Sequence, residues 1–530
     1  MRSVSAFLCA VLFVSVAVAD QGHHDMMPEQ LGKVDFPTSC SPKVQKQFER
    51  SVALLHPFWY EEALKSFTAV SQQDPACSMA YWGIAMSHYH QLWDNPDRDA
   101  IAKANAALAN VAAHPARTPR ERAWIAAIQA FYRDGDKLDH DARATAYAHA
   151  MAQVHASYPD DREAAIFYAL SLLGSAAPGE KGIENHKQAA AILEPIFAVA
   201  PDHPGVAHYL IHSYDNPQLA QMGLPAARRY AQIAPSAPHA LHMPSHIFAR
   251  LGLWQDSIAS NLASVAATRH SMEMHMGGAD HQFHAMDYLV YAYLQSGQEA
   301  KAAKLIHDMD QQTGIGGHRA DYAHVKFAAL YDTELHRWSD AAALPVPKGG
   351  DLSNEAIAHW ARAIGAARSG DATAAQAEVA RLREIESQLS RNKGYEGQSL
   401  ATGARILLLE SEGWLEHAQK RDEDAVKSLR SAAELFEANL GENVEIPARE
   451  MLADLLLELN RPQDALAAYQ ASLKFAPNRF NGLYGAAHAA EMGGKAELAS
   501  SYYAQLLKVC GNCASDRPEL RQAKALVARK

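Results

Sequence analysis

Histidine is the residue of this chain whose number and spacing could do chemistry. The 530 residues include 27 histidines, and many are grouped. His88 and His90 form one group, His208 and His212 another, and a dense run extends from His239 to His284. Imidazole binds transition metals and titrates near neutral pH, so such grouping needs a chemical account. His208 and His212 are four apart, as are His242 and His246. On a helix that spacing puts both rings on one face. His281 lies one turn before His284, and Asp287 shares a face with His284. Two histidines at this spacing can hold one ion from a single helix. A third ligand from a neighbouring helix fixes the geometry, and an open fourth position permits chemistry. The expected metal set is therefore His208, His212, His242, His246, His281 and His284, with Asp287, His270, His275, His88 and His90 as secondary members. Neither His-x-x-x-His pair carries the glutamate of His-Glu-x-x-His, so a zinc protease has no support.

Copper stands first among the metals, with zinc or iron next. The segment from His270 to Met276 mixes His270 and His275 with three methionines, and His23-His24-Asp25-Met26-Met27 lies near the N-terminus. Thioether with imidazole suits copper. The plainer reading is that methionine fills core gaps and that the N-terminal stretch is a disordered tail. For the histidines the plainer reading is structural hydrogen bonding, or helix-pair packing for His88, His90 and Trp93. Pro244 bears on the His242–His246 pair. Inside a helix it frees the carbonyl of Ala240 and kinks the chain. At a helix start it sits in its favoured first position, which would loosen the pairing.

The elements that must position these rings are helical. Hydrophobic residues make up 48% of the chain and aromatics 8%, alanine dominates, and alternating β-branched runs are scarce. That balance favours helices over sheets. The net charge is -11, with no long basic run, which argues against nucleic acid or an anionic membrane surface as partner. Residues 1–19 read as a signal peptide: Arg2, an apolar stretch from Ala6 to Val16, then Ala17-Val18-Ala19 as a cleavage site. Cleavage there predicts a periplasmic or secreted protein without a membrane span. Cys40, Cys77, Cys510 and Cys513 then remain, an even count in an oxidising compartment. Disulfides Cys40–Cys77 and Cys510–Cys513 are expected, the second closing a tight loop after the last repeat. Redox chemistry at Cys510-Gly-Asn-Cys513 is the weaker alternative, since no βαβ pattern surrounds it.

Repeats set the register. Ala453, Ala465, Tyr469 and Pro477 mark one helix pair, and Ala487, Ala499 and Tyr503 repeat its pattern 34 residues on. Small residues at these positions let helix axes approach closely. Similar phrases run upstream, through Gly413 with Ala425, Leu251-Gly252 with Ser257, and Ala226 with Tyr230, back to Ala63 with Phe67. The array is expected from about residue 43 to 525, less regular near 95–200. Loops at Pro178–Gly182, Pro345–Gly350 and Asn392–Gly397 interrupt it. The expected division is a flexible segment at 20–42, an N-terminal array at 43–345 with the histidine-rich groove, and a C-terminal array at 351–530.

On these positions the chain resembles the tetratricopeptide-repeat superfamily over nearly all its length after the leader. It also resembles a group of mostly uncharacterised exported bacterial repeat proteins. That narrower likeness rests on His56-Pro57-Phe58-Trp59, Ala80-Tyr81-Trp82-Gly83-Ile84-Ala85, His208-Tyr209-Leu210-Ile211-His212 and His242-Met243-Pro244-Ser245-His246-Ile247-Phe248. The superfamily resemblance implies an all-α solenoid, a right-handed superhelix of antiparallel helix pairs whose inner groove binds peptides or proteins. Three functions follow as expectations: a binding protein holding a transition metal or a metal-dependent ligand, a metalloenzyme with an open coordination position, and a metal-free envelope adapter for protein partners. No phosphate loop, nucleophile elbow or paired His-Cys nucleophile is present.

Overall fold

The computed structural model describes residues 30–528, apart from 93–94, 136, 277–280, 312–317, 348–350, 440–443 and 512. The signal peptide expected at 1–19, the His23–Met27 stretch and Trp93 lie outside the described residues. Among the described residues every regular element is helical. Helix starts are set by side chains that accept the unpaired N–H groups of a first turn. Asp97, Asp139, Asp161 and Asp371 cap in this way, and Thr118 with Glu121 forms a capping box with Pro119 at the first helical position.

Successive helices pack on one another along the chain, and alternate helices also touch. The result is an all-α solenoid of stacked helix pairs. Its register is clearest in the pairs Ala448–Glu458 with Pro462–Phe475 and Phe480–Met492 with Ala496–Cys510. Ala453, Ala465, Tyr469, Ala487, Ala499 and Tyr503 are all buried at the contacts. The absent side chain of Gly485 admits the Tyr469 ring, since a Cβ there would lie 2.2 Å from it. Gly83 admits Phe67 in the first repeat with the same spacing. No described helix is long and apolar enough to cross a membrane.

The array also folds back on itself. Trp254 Nε1 donates to the Asn478 carbonyl (2.8 Å), and Tyr395 N–H donates to Asp141 (2.7 Å). The fully buried Arg479 guanidinium donates to Glu334, Glu450 and Tyr291. Two large hydrophobic clusters result, one ending at Phe248 and the other beginning at Ala249. The buried hydrophobic core thus changes cluster near residue 248. A row of polar side chains, described below, lies there, and neither cluster absorbs it.

Cys40 and Cys77 form the expected disulfide, tying the segment before the first helix to the start of the third. Cys510 and Cys513 do not follow expectation; both are free thiols. Cys510 ends its helix, Gly511 turns the chain with φ of 55°, and Cys513 N–H donates to the Cys510 carbonyl (3.1 Å). This turn leaves two hydrogen-bonded thiols side by side over Gly297. Pro244 resolves both expectations at once: helices Pro238–His242 and Pro244–Arg250 are separate, joined by Met243 at helical angles (φ -51°, ψ -36°). Nearby carbonyls are taken by the next helix, Trp254–Glu273, whose Ser260 and Ser264 hydroxyls donate to Leu241 and Pro238.

Candidate metal centre

The histidines meet where the two cores abut. His208 and His212 come from the Pro204–Tyr214 helix, and His239 from the Pro238–His242 helix. His208 Nε2 lies 3.1 Å from His212 Nε2 and 3.2 Å from His239 Nε2. The second group is built the same way. His242 and His246 flank Met243–Ser245, and His284 comes from the His281–Gln295 helix. His242 Nε2 lies 2.9 Å from His246 Nε2, and the His284 ring centroid is 4.4 Å from that of His242. Within each group one nitrogen from every ring lies within 4.8 Å of the others. The groups are neighbours: His212 and His246 centroids are 6.2 Å apart, and those of His239 and His242 are 6.0 Å apart.

Hydrogen bonding at the far side of the rings decides what these nitrogens can do. His242 Nδ1–H donates to Asn261 Oδ1 (2.6 Å). The Asn261 amide nitrogen donates to the Ser257 carbonyl (2.8 Å), which fixes the oxygen toward the imidazole. His246 Nδ1–H donates to the Asp215 carboxylate (2.7 Å), and His208 Nδ1–H to the His56 carbonyl (2.6 Å). Each acceptor forces the proton onto Nδ1, so in the neutral ring Nε2 carries a lone pair. His242 and His246 therefore point two lone pairs at each other across 2.9 Å. Such a contact is repulsive unless a cation lies between them. On a tetrahedral ion with bonds of about 2.05 Å, two nitrogens stand roughly 3.3 Å apart, close to the separations found here.

A proton is a poor candidate for that cation. Burial, reinforced by neighbouring imidazoles, holds His208, His239, His242 and His284 well below the ordinary histidine range. His212 is lowered to about 3 for the same reasons. These five rings are thus held toward the neutral form, the form that binds metals. Behind them lies fixed negative charge. Burial alone would raise the Asp215 carboxyl, but the Arg250 guanidinium and the His246 imidazole hold it well below the carboxylate range. Arg250 Nε donates to Asp215 at 2.8 Å. A carboxylate behind a ligating imidazole orients it and raises its basicity. Buried Glu163 accepts from His56 (3.2 Å) and His203 (2.7 Å), and these two hold its carboxyl down against burial. His56 in turn presents its carbonyl to His208, so this cluster supports the first group from behind.

Phe58 closes one wall. Its ring lies 4.4 Å from that of His208, 5.9 Å from His212 and 5.7 Å from His239. Its backbone adopts φ of 56°, a left-handed conformation that bulky residues avoid and that is retained where surrounding structure over-determines it. On another side a cavity of about 320 Å³ reaches His212 and His246 together, bordered by Leu92, His186, Asn216 and Ser399. Ser399 belongs to the Gly394–Ala418 helix, so the folded-back half of the chain forms part of the mouth.

Of the expected residues, His208, His212, His242, His246 and His284 come together. His281 stands at the edge, its ring 5.2 Å from His239. Asp287 is buried and lies 3.8 Å from Lys326. His270 pairs with Glu273 on the surface, His275 is exposed, and neither joins the cluster. His90 stacks on Tyr60 (4.2 Å), and His88 is half-buried nearby. Sequence reasoning missed His239 as a ligand, and Asp215, Arg250, Asn261, His56 and Phe58 as supports. One signal was available: Ser257, Asn261, Ser264 and Thr268 recur at helical spacing and are all fully buried. A polar stripe inside a buried face implies polar partners opposite.

No family model matches the chain, and no curated protein does. Among solved structures, human IFIT1 in its dimer with PPP-AAAA is 14% identical over 87% of this chain and 89% of that one, with a TM-score of 0.36. The Cut9 assembly of the APC/C, Cut9-Hcn1, is 12% identical over 92% of this chain and 95% of that one, at 0.27. Naa15/Naa10 bound to HypK is 11% identical over 91% and 90%, at 0.25. At these identities and scores the likeness says nothing about ligand or partner.

Proposed function

We propose that this protein is a solenoid that binds a transition metal through the histidines gathered between its two cores. One observation carries the reading: His242 and His246 face each other through Nε2 lone pairs at 2.9 Å while both Nδ1 protons are committed elsewhere. The donors are neutral nitrogens with no thiolate or carboxylate in either group, which suits copper first and zinc or iron next. The leader-like features of residues 1–19 support metal handling outside the cytoplasm, in the periplasm or secreted. A bound ion supplies Lewis acidity and a binding point for a small ligand; the chain's residues orient the imidazoles, hold the counter-charge and exclude bulk water.

The cavity at His212 and His246 favours a second reading beside the first, a metalloenzyme whose ion exchanges one ligand there. A metal-free adapter for a peptide or protein partner would need an open inner groove.

Elemental analysis of protein purified without a histidine tag tests the proposal. Bound metal should be present in the parent and lost when His212 and His246 are both replaced by alanine in a chain that still folds. Unchanged metal content in that variant would show that the ligands are elsewhere.

A further inference from the structure

The i,i+4 pairs of the two three-histidine groups are copies of one another. His208 and His242 are 34 residues apart, and so are His212 and His246. That interval equals the repeat period carried by Ala453 and Ala487. The first group joins the i,i+4 pair of the Pro204–Tyr214 helix to His239, and the second joins His242 and His246, from the two short helices on either side of Met243, to His284 of the His281–Gln295 helix. Neighbouring repeats of a solenoid stack in register, so a duplicated ligand pair yields two similar sites one repeat apart. The six rings do not close on one point. Each trio lies within 4.8 Å internally. Between trios the nearest centroids stand 6.0 and 6.2 Å apart.

We infer that the protein holds two metal ions, one per trio, as a pair able to share a small bridging ligand. This rests on the metal-binding reading above and extends it. Three nitrogen donors per ion leave each ion a coordination position to fill. The cavity reaches one ring of each trio, His212 and His246, and so opens at the junction between the two sites. Paired sites in proteins place their ions about 3.5–4 Å apart, a spacing that one small anion or diatomic molecule spans. The ligand class is therefore a small species with donor electrons available to both ions. The cavity of about 320 Å³ is wider than such a ligand and provides its route inward. Phe58 shuts one wall of the first trio, its ring lying beside His208, His212 and His239.

The test uses the full untagged chain loaded with cupric ion alone, desalted, and measured for copper per chain and for integrated electron-spin signal. The parent should retain two ions per chain with a spin count well below its copper content, because close cupric ions couple. Single variants His239→Gln and His284→Gln, each confirmed folded by circular dichroism, should retain one ion each with spin equal to copper. Azide should give the parent a visible band, with one azide bound per pair of ions, that differs from the band of either variant, where azide meets a single ion. His23 and His24 are present in every form, so differences between forms report the buried histidines. One retained ion in the parent would overturn the pair while leaving the metal-binding reading intact. Two ions with full, uncoupled spin would also overturn it. No retained ion would overturn both.

Discussion

Asp215 offers the sharpest single perturbation of the proposed centre. Its carboxylate accepts from His246 Nδ1 at 2.7 Å and from Arg250 Nε at 2.8 Å, and it touches no other ligating ring by hydrogen bond. Asp215→Asn keeps an acceptor oxygen but removes the charge. A charge-assisted hydrogen bond is roughly twice as strong as a neutral one, so the loss is about 1.4 kcal/mol, or about tenfold in metal affinity. Asp215→Ala removes the acceptor altogether and should approach the upper end of about 10–100-fold seen when such supporting groups are lost. Competition against a chromophoric chelator measures both. The effect should fall on the trio of His242, His246 and His284, with affinity at the other trio changed by less than about threefold. Without metal, the alanine variant should also lose about 3–5 kcal/mol, since Asp215 and Arg250 form a buried pair. The sign with pH is fixed. A carboxyl held below its unfolded value contributes fully above about pH 4 and is lost on acidification, so both variants should show a flatter acid limb. Affinity within twofold of the parent in a folded Asp215→Ala protein would refute the supporting role and weaken the case for His246 as a ligand.

Three further outcomes test the scaffold. Reducing Cys40–Cys77, which spans 37 residues, should cost about 3–4 kcal/mol by loop-closure entropy; thermal melts with and without reductant check this, and coincident melts would contradict it. Burial, reinforced by Glu450, pushes the Asp454 carboxyl up to about 8, and Tyr469 donates its hydroxyl there. A raised pKa means stability present in acid and lost as pH rises from about 4 to about 8, so Asp454→Asn should flatten the melting curve across that window, and parallel curves would contradict the assignment. Arg479→Met leaves Glu334 and Glu450 buried without their shared guanidinium and should destabilise by about 3–5 kcal/mol in denaturant titrations; a loss under about 1 kcal/mol would show that the two carboxyls find other compensation.

Much of the helix-pair register was legible because it is local. Ala453 with Ala465, and Ala487 with Ala499, mark close approach in the sequence itself, and the helices form where those residues require. The i,i+4 histidine pairs were legible for the same reason. What escaped depends on neighbours distant in the chain. His239 precedes His242 by three residues, yet its ring turns back to His208 because a separate short helix begins at Pro238. Asp287 has the right spacing to His284 but is drawn to Lys326 across the helix boundary. Asp215 sits just past a helix end, a position with no periodic signature, and only the fold brings it to His246. The expected Cys510–Cys513 disulfide rested on cysteine count and compartment, which cannot see that a left-handed Gly511 sets the two sulfurs as a thiol pair. The polar stripe of Ser257, Asn261, Ser264 and Thr268 reads as an ordinary helix face until its burial is known.

An open spring of helix pairs can unzip from either end, one repeat at a time, because each unit answers only to its neighbours. The contacts from Trp254, Tyr291 and Glu334 to residues 478–481 remove that freedom. The middle of the array cannot loosen without releasing the last pairs, nor the last pairs without exposing Arg479 and its carboxylates. Melting should thus take the second core, from Trp254 to the last pairs, as one event, and the imidazoles lie at its border, held in place before any ligand arrives.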